Sequence, residues 1–408
     1  MRVLLVNPKN GCISSGGDFV NQPTGLMHLA GAIADEHDVM VCDCNLGEEF
    51  GVLADAFLPD IVGVSCWMGN FSHTEEILKL AKIRRLKIVA GGPFASVAPE
   101  LYLELGVDCV ITGEATEAFR DLLSANKHIF PEKIIYSNNR GGLLPPSYHL
   151  FRMGDYLSPA KSGLYAGRKG GVIFASIGCN HRCVFCSGGY LGKWRSRDVE
   201  IEVKFLKNNG ADLIWFGDAS FSFNRDHSIT VADIMRKNEI EWFAEVRVDE
   251  VDINMLKLFA DSGCISLWFG IESRIDAELR RMRKGLRWLD VERGIQLISD
   301  CGIRPVGFVL IGLPGQTRQS IEETVRWVEE QSFPISPNTL IPIPGTAIWN
   351  EAAKNNMVPN IVELARMVSD FYYQQSRGPI VNLSDANNGV LKEAVARINN
   401  HNQELCRG

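Results

Sequence analysis

Short apolar runs alternate with amphipathic stretches twice along this chain, and that alternation commits it to parallel sheets faced by helices. In the first pass the runs are Arg2–Val6, Asp38–Cys42, Ile61–Ser65, Ile88–Ala90 and Cys109–Ile111, separated by helical patterns such as Thr24–Ala34 and Thr74–Ala81. Five strands alternating with helices predict a doubly wound parallel sheet. Ligands bind such sheets beyond the carboxyl ends of the strands. Here those ends carry Asn7-Pro8, Ser65, Gly91-Gly92-Pro93 and Gly113-Glu114. From Val172 a second alternation starts, with strands Val172–Ser176, Asp212–Phe216, Glu241–Val246, Ile265–Phe269, Pro305–Ile311 and Pro334–Ile341. Helical patterns such as Asp252–Ala260 and Ser320–Glu329 separate them. Six strand–helix units predict an open, partial barrel rather than a closed one of eight units. The stretch 131–170 lacks the rhythm, carries Gly141-Gly142 and Pro145-Pro146, and is expected to be a linker. The expected division is therefore a first α/β domain over 1–130, a linker over 131–170, a barrel over 171–349 and a helical tail over 350–408.

Composition narrows the function classes. The 408 residues are 46% hydrophobic and 22% charged, as in an ordinary globular protein. A net charge of -7 does not favour nucleic acid or an anionic membrane as partner. No run is long and apolar enough to predict a transmembrane helix, and the first residues lack the pattern of a signal peptide. Eleven cysteines without such a signal are expected in a reduced cytosol, where clustered cysteines are more often metal ligands than disulfides.

The densest cluster follows the first barrel strand: Gly178-Cys179-Asn180-His181-Arg182-Cys183-Val184-Phe185-Cys186-Ser187. Thiolates suit iron–sulfur clusters and zinc. Three of them serve three irons of a cubane and leave the fourth open, which marks a reactive site; a closed zinc site would need a fourth ligand, His181 or a distant residue.

Cys179, Cys183 and Cys186, spaced Cys-x3-Cys-x2-Cys with Phe185 before the last, resemble the radical S-adenosylmethionine (SAM) superfamily. The resemblance implies a 4Fe–4S cluster on these cysteines, SAM on its open iron, a 5′-deoxyadenosyl radical on reduction, and an external electron donor such as a flavodoxin or ferredoxin. Trp215-Phe216-Gly217-Asp218 stands where the family carries a Gly-Gly-Glu-like motif, so Asp218 is expected at the methionyl ammonium; a turn or helix cap is its structural alternative. Arg247 is expected at the methionyl carboxylate, with an ion pair to Asp218 or Glu272 as the alternative. Gly270-Ile271-Glu272-Ser273 resembles a signature of the cobalamin-linked branch and implies SAM contacts for Glu272 and Ser273. Phe308–Gly315, with Gly312, resembles the adenine-side motif, and Ile343-Pro344-Gly345-Thr346 also matches the family. One departure is Ile177-Gly178 where many relatives have Arg-Gly before the first cysteine.

The first domain resembles the cobalamin-binding domain that precedes many such barrels, on Pro23-Thr24-Gly25-Leu26, Gly91-Gly92-Pro93 and Thr112-Gly113-Glu114. Cobalamin is then expected at Ser65, Gly91, Gly92, Gly113 and Glu114. No Asp-x-His-x-x-Gly motif follows the first strand, and His28 and His73 lie in helical patterns, so no histidine on cobalt is expected. The implied activity is methylation of an unactivated carbon of a small molecule, with radical cyclisation or ring remodelling as second reading. A third reading, a methylthiotransferase, would place a second cluster on Cys12, Cys42 or Cys44, and Cys66; a fourth is a non-catalytic cobalamin or redox sensor. Tyr190, Trp194, Trp215 and Tyr372 are aromatic candidates for substrate contact.

Overall fold

The computed structural model describes residues 1–10, 21–124, 130, 132–137, 144–188, 192–374 and 379–405, with the side chains of 372–374 outside the description. The first sheet comprises β1 (Arg2–Asn7), β2 (Asp38–Asp43), β3 (Ile61–Ser65), β4 (Lys87–Gly91), β5 (Cys109–Thr112) and β6 (Ile134–Tyr136), in the order β2-β1-β3-β4-β5-β6. Every pairing in it is parallel. Val3, Leu4, Leu5 and Val6 of the central β1 are all 0% exposed. A continuous apolar run is what a parallel strand covered on both faces requires. The stretch expected as a linker contributes β6 and two short helical turns, Tyr148–Leu150 and Met153–Tyr156. Its Tyr148, Phe151 and Tyr156 are core residues. Its Gly141-Gly142 lies outside the described residues.

The second sheet is built from β7 (Gly170–Ile173), β10 (Leu213–Phe216), β11 (Glu241–Val246), β12 (Cys264–Glu272), β13 (Arg304–Ile311) and β14 (Ile335–Thr339), paired side by side in chain order. All five pairings are parallel, which gives the expected open barrel of six strands. Between β7 and β10 the short strands β8 (Ser176–Ile177) and β9 (Arg195–Ser196) pair antiparallel. They clamp both ends of the cysteine loop. Sequence-local caps set the outer helices: Asp252 accepts from the Asn254 and Met255 amides, Asn224 from His227 and Thr346 from Trp349. Each such cap stabilises its helix by about 1 kcal/mol. Thr346, matched above as a family residue, is thus placed as a helix cap.

The tail folds back over both sheets. Helix Asn388–Leu405 packs on β14 and on helix Arg318–Glu329. Helix Ile361–Gln374 packs on helix Phe71–Ile83 and on the turn after β3. There Arg366 makes a two-pronged ion pair with Glu75, at 2.9 and 2.6 Å, and the Ser72 amide donates to Ser369 Oγ at 3.2 Å.

Candidate active site

The cysteine loop lies at the carboxyl end of β7, where a barrel presents its loops to a ligand. Gly178 makes the entry possible. Its φ is +81°, and a Cβ there would sit 2.5 Å from the carbonyl oxygens of Gly192 and Lys193. The Cys179 amide donates to Gly192 O at 3.2 Å, and Gly188 N–H donates to Cys186 Sγ at 3.2 Å. Cys179, Cys183, Phe185 and Cys186 line one cavity of about 400 Å³, together with His181, Glu245, Arg247, Trp268, Gly270, Glu272, Lys284, Phe308 and Asn338. Burial pushes the Cys183 thiol up, and the charges of Lys284 and Arg247 pull it back down. These cations would offset the negative charge of thiolate ligands. His181 Nε2 is engaged by Glu250 at 2.6 Å, and Glu250 also accepts from Ser220 and Ser222 at 2.6 and 2.7 Å. Burial alone would raise the Glu250 carboxyl, but these three bonds outweigh it and hold it below its ordinary value. His181 thus braces the loop against the end of β11 instead of closing a zinc site. Among the described residues no three metal-ligating side chains converge on a single ion; a cubane takes thiolates set apart by the width of the cluster.

Glu272 shows local strain. It sits at φ 63°, a region that costs a non-glycine residue about 1–3 kcal/mol, and the register of β12 against β13 shifts between Gly270 and Glu272. The strain turns its carboxylate to Lys284 Nζ at 2.7 Å, both side chains being under 10% exposed. A Cβ on Gly270 would run into that pair, so the glycine of the Gly-Ile-Glu-Ser motif makes room for it. Arg247 bonds Asp249 through Nε and Nη2 at 3.1 and 2.9 Å and donates to Lys284 O at 2.8 Å. Neither of the ion-pair partners weighed from sequence is its actual one.

Asp218 is 1% exposed and accepts from the Ala175 amide at 3.0 Å and from Ser176 Oγ. Burial pushes its carboxyl up to about 6 against these bonds. Its hydrogen bonds go to the β7–β8 junction, and it is not among the cavity walls. Gly217 packs on Phe174. Ser273 donates to Glu278 at 2.5 Å, and Gly312 N–H donates to Gln316 Oε1 at 2.8 Å. Gln316 in turn donates to Glu278 at 3.1 Å, so these two motif residues belong to one buried network behind the strand ends.

Sequence reasoning missed Lys284, which has no motif, and Glu245. Glu245 carried a signal: it stands two residues before Arg247 on a strand, hence on the same face. Below it lies an aromatic layer in which Phe243 stacks on Tyr165 at 4.4 Å and meets Trp268 at 4.9 Å. Trp215 lies parallel to Phe243 at 5.9 Å, and its indole N–H is buried without a partner among the described residues. Trp194 packs on Phe223 and His227. Tyr190 and the side chain of Tyr372 lie outside the described residues.

At the first sheet, Ser65, Gly91, Gly92, Gly113 and Glu114 gather along the carboxyl edge of β3, β4 and β5. Ser65 pairs with Gly91 in register. Ser96 Oγ donates to Gly92 O at 2.8 Å and accepts from Gly113 N–H at 2.9 Å. Glu114 accepts from the Thr116 amide at 2.7 Å, and a Cβ on Gly91 would be in ordinary contact with Ile111 O, at 3.7 Å. His28 is buried and bonded to Leu144 O at 2.7 Å; burial and the Arg197 charge push it down to about 4. His73 takes the Lys9 amide at 2.9 Å. Both histidines serve the fold. Cys42 and Cys44 face each other at 3.8 Å, Cys66 points at Val64 O, and Cys12 lies outside the described residues.

Two family models match this chain, the B12 binding domain over residues 13–123 and the radical SAM superfamily over residues 173–328. The barrel is thus a radical SAM domain, as the cysteine loop at its head leads one to expect. The first sheet is a B12 binding domain. An uncharacterized methyltransferase of Pyrococcus horikoshii is 28% identical, with 88% of this chain and 84% of that protein covered. The anaerobic magnesium-protoporphyrin IX monomethyl ester cyclase of Synechocystis is 25% identical, with 74% and 67% covered. Among solved structures, the radical SAM methyltransferase TsrM from Kitasatospora setae, with cobalamin and an iron–sulfur cluster bound, superposes with a TM-score of 0.70 at 19% identity, covering 87% of this chain and 75% of that one. No described helix is long and apolar enough to cross a membrane.

Proposed function

We propose that this protein is a cobalamin-dependent radical SAM methyltransferase acting on an unactivated carbon of a small molecule. The observation that carries the reading is the single cavity that joins three free thiols to a ring of desolvated charges, Arg247, Glu272 and Lys284. The donor set fits a 4Fe–4S cluster on Cys179, Cys183 and Cys186, and the charges fit the zwitterionic head of SAM. The edge from Ser65 to Glu114, with Gly91, Gly92 and Gly113 carrying no side chain, fits a corrinoid that takes no histidine from this chain's described residues. When bound, these groups supply an electron to the SAM sulfonium, a carbon-centred radical, and a methyl group for transfer.

The protein's part is binding, orientation and exclusion of water. Arg247 and Lys284 provide buried positive charge in the cavity wall. Glu272, fixed by Lys284, has acceptor capacity left for a hydroxyl or an ammonium. Glu250 and His181 hold the loop that presents the thiols. Trp268 and Phe308 line the cavity as an apolar floor, with Phe243 packed behind Trp268. An external one-electron donor, a flavodoxin or ferredoxin, completes the scheme. We read 1–130 as the corrinoid unit, 171–349 as the catalytic barrel, 131–170 as the connection and 350–408 as the tail. Radical cyclisation is the second reading, supported by the likeness to the cyclase.

Anaerobic reconstitution tests the proposal. The wild type should take up one cluster, retain hydroxocobalamin through gel filtration and cleave SAM under reduction. Replacing Cys179, Cys183 and Cys186 together by alanine should abolish the charge-transfer absorption and SAM cleavage. Wild-type iron content in the triple variant would overturn the cluster assignment.

A further inference from the structure

We propose that Glu245, on the third barrel strand, is the carboxylate that receives the methionyl ammonium of SAM, in place of Asp218. The inference rests on the radical SAM reading of this cavity. Each other charged side chain named in the cavity wall has a protein partner. Arg247 has Asp249, Glu272 has Lys284, and His181 has Glu250. Glu245 lines the same cavity, and among the described residues nothing donates a hydrogen bond or an ion pair to it. A carboxylate half-buried in a cavity wall and left without a protein partner is costly. The group that relieves that cost is a cation with N–H donors.

The surroundings select the kind of cation. Asp218 is the nearest charge acting on Glu245, and it repels. Asp218 stands behind the cavity wall and spends its oxygens on Ala175 and Ser176. Of these two carboxylates only Glu245 lines the cavity. One step up the same face of β11 stands Arg247, about 6.6 Å away by strand rise, with Lys284 beside it. An amino-acid head group fits between such layers, its ammonium towards Glu245 and its carboxylate towards the cations. The cavity runs on from there to the three cysteines. A bare metal ion is a poor occupant, because among the described residues no three metal-ligating side chains, Glu245 included, stand together. The free carboxylate is therefore matched to the α-ammonium of a molecule that also reaches the cysteine loop.

The test uses the anaerobically reconstituted full-length protein and two unreactive probes, S-adenosylhomocysteine, which keeps the ammonium, and 5′-methylthioadenosine, which lacks the amino-acid head. Glu245→Gln keeps the side chain's size, and retained cluster absorption shows that the variant is folded. The expected result is a ten- to hundredfold loss of affinity for S-adenosylhomocysteine, the worth of about one charge-assisted hydrogen bond, with methylthioadenosine affinity unchanged. Glu245→Asp should recover part of the loss. Unchanged S-adenosylhomocysteine affinity in Glu245→Gln, or an equal loss for both probes, would overturn the assignment. If the wild type itself binds neither probe, the radical SAM reading fails, and this inference falls with it.

Discussion

The two parallel sheets offer ligands the same kind of edge and furnish it in opposite ways. At the barrel's edge the sequence places charged side chains: Glu272 and Lys284 buried as a pair, buried Arg247 on the exposed Asp249, and half-buried Glu245 without a partner among the described residues. At the first sheet's edge it places glycines and hydroxyls that bond their own backbone, Ser96 joining Gly92 to Gly113 and Asn70 donating to Ser65 O at 3.0 Å. The first arrangement suits a small zwitterion, whose grip comes from a few strong, desolvated contacts. The second suits a broad ligand held by shape, where close backbone approach matters more than charge. Binding at the barrel edge should therefore be sensitive to single charges, and binding at the other edge to single methyl groups.

The largest effect expected from one side chain is at Lys284. Lys284→Met strands Glu272 as a lone buried carboxylate at strained φ, which costs about 3–5 kcal/mol. Denaturant unfolding should show that loss. The double variant Lys284→Met/Glu272→Gln should recover most of it while still binding SAM poorly. A single variant as stable as wild type would remove the claim that the barrel edge is held by charge.

Glu245 comes next, and its effect has the opposite sign. Burial, helped by the Asp218 charge, pushes its carboxyl up from 4.5 to about 7 in the folded chain. A folded-state value above the unfolded one gives stability that is complete below pH 4.5 and lost as pH rises through 7. Glu245→Gln does not lose it. The ligand-free variant should match wild type near pH 4.5 and exceed it at pH 8 by roughly 2–3 kcal/mol. Equal stability at pH 8 would mean that the carboxylate has a partner after all.

At the other edge, Gly92→Ala should cost about 1–3 kcal/mol, since the residue sits at φ +104° and a Cβ would lie 2.8 Å from Cys66 O. Ser96→Ala is the smallest change, about 1 kcal/mol for the lost bonds to Gly92 and Gly113. Both should weaken retention of hydroxocobalamin and leave affinity for SAM intact. Loss of SAM affinity in either would erase the division of labour between the edges.

The alternation of apolar runs was enough to read both sheets, because a parallel strand buried on two faces must be continuously apolar and its helix must be amphipathic. The cysteine spacing likewise located the loop, and its clamp by β8 and β9 follows from where the loop begins and ends. β6 was illegible, since a strand of three residues on a sheet's margin has too few positions to show a period. Lys284 was illegible for a different reason: it meets Glu272 only after the chain turns through helix Asp276–Arg281. The Gly-Ile-Glu-Ser motif pointed to Glu272 but could not separate it from Ser273, whose hydroxyl the fold turns to Glu278. Glu245 was within reach of the same alternation that named Arg247, had polar residues on the strand's inner face been sought.

The Arg366–Glu75 pair has a mechanical consequence. Chain passes between the first sheet and the barrel at the segment around Tyr148 and Tyr156, and again through helix Ile361–Gln374, which that ion pair fastens to helix Phe71–Ile83. It adds to ties made elsewhere between the two sheets, where Gln22 accepts from the Val172 amide at 3.1 Å and His28 stands 3.8 Å from Glu202. The tail thereby shares in holding the two ligand edges at a fixed separation, and cutting its bond to Glu75 would remove one of those ties without touching any residue of either candidate site.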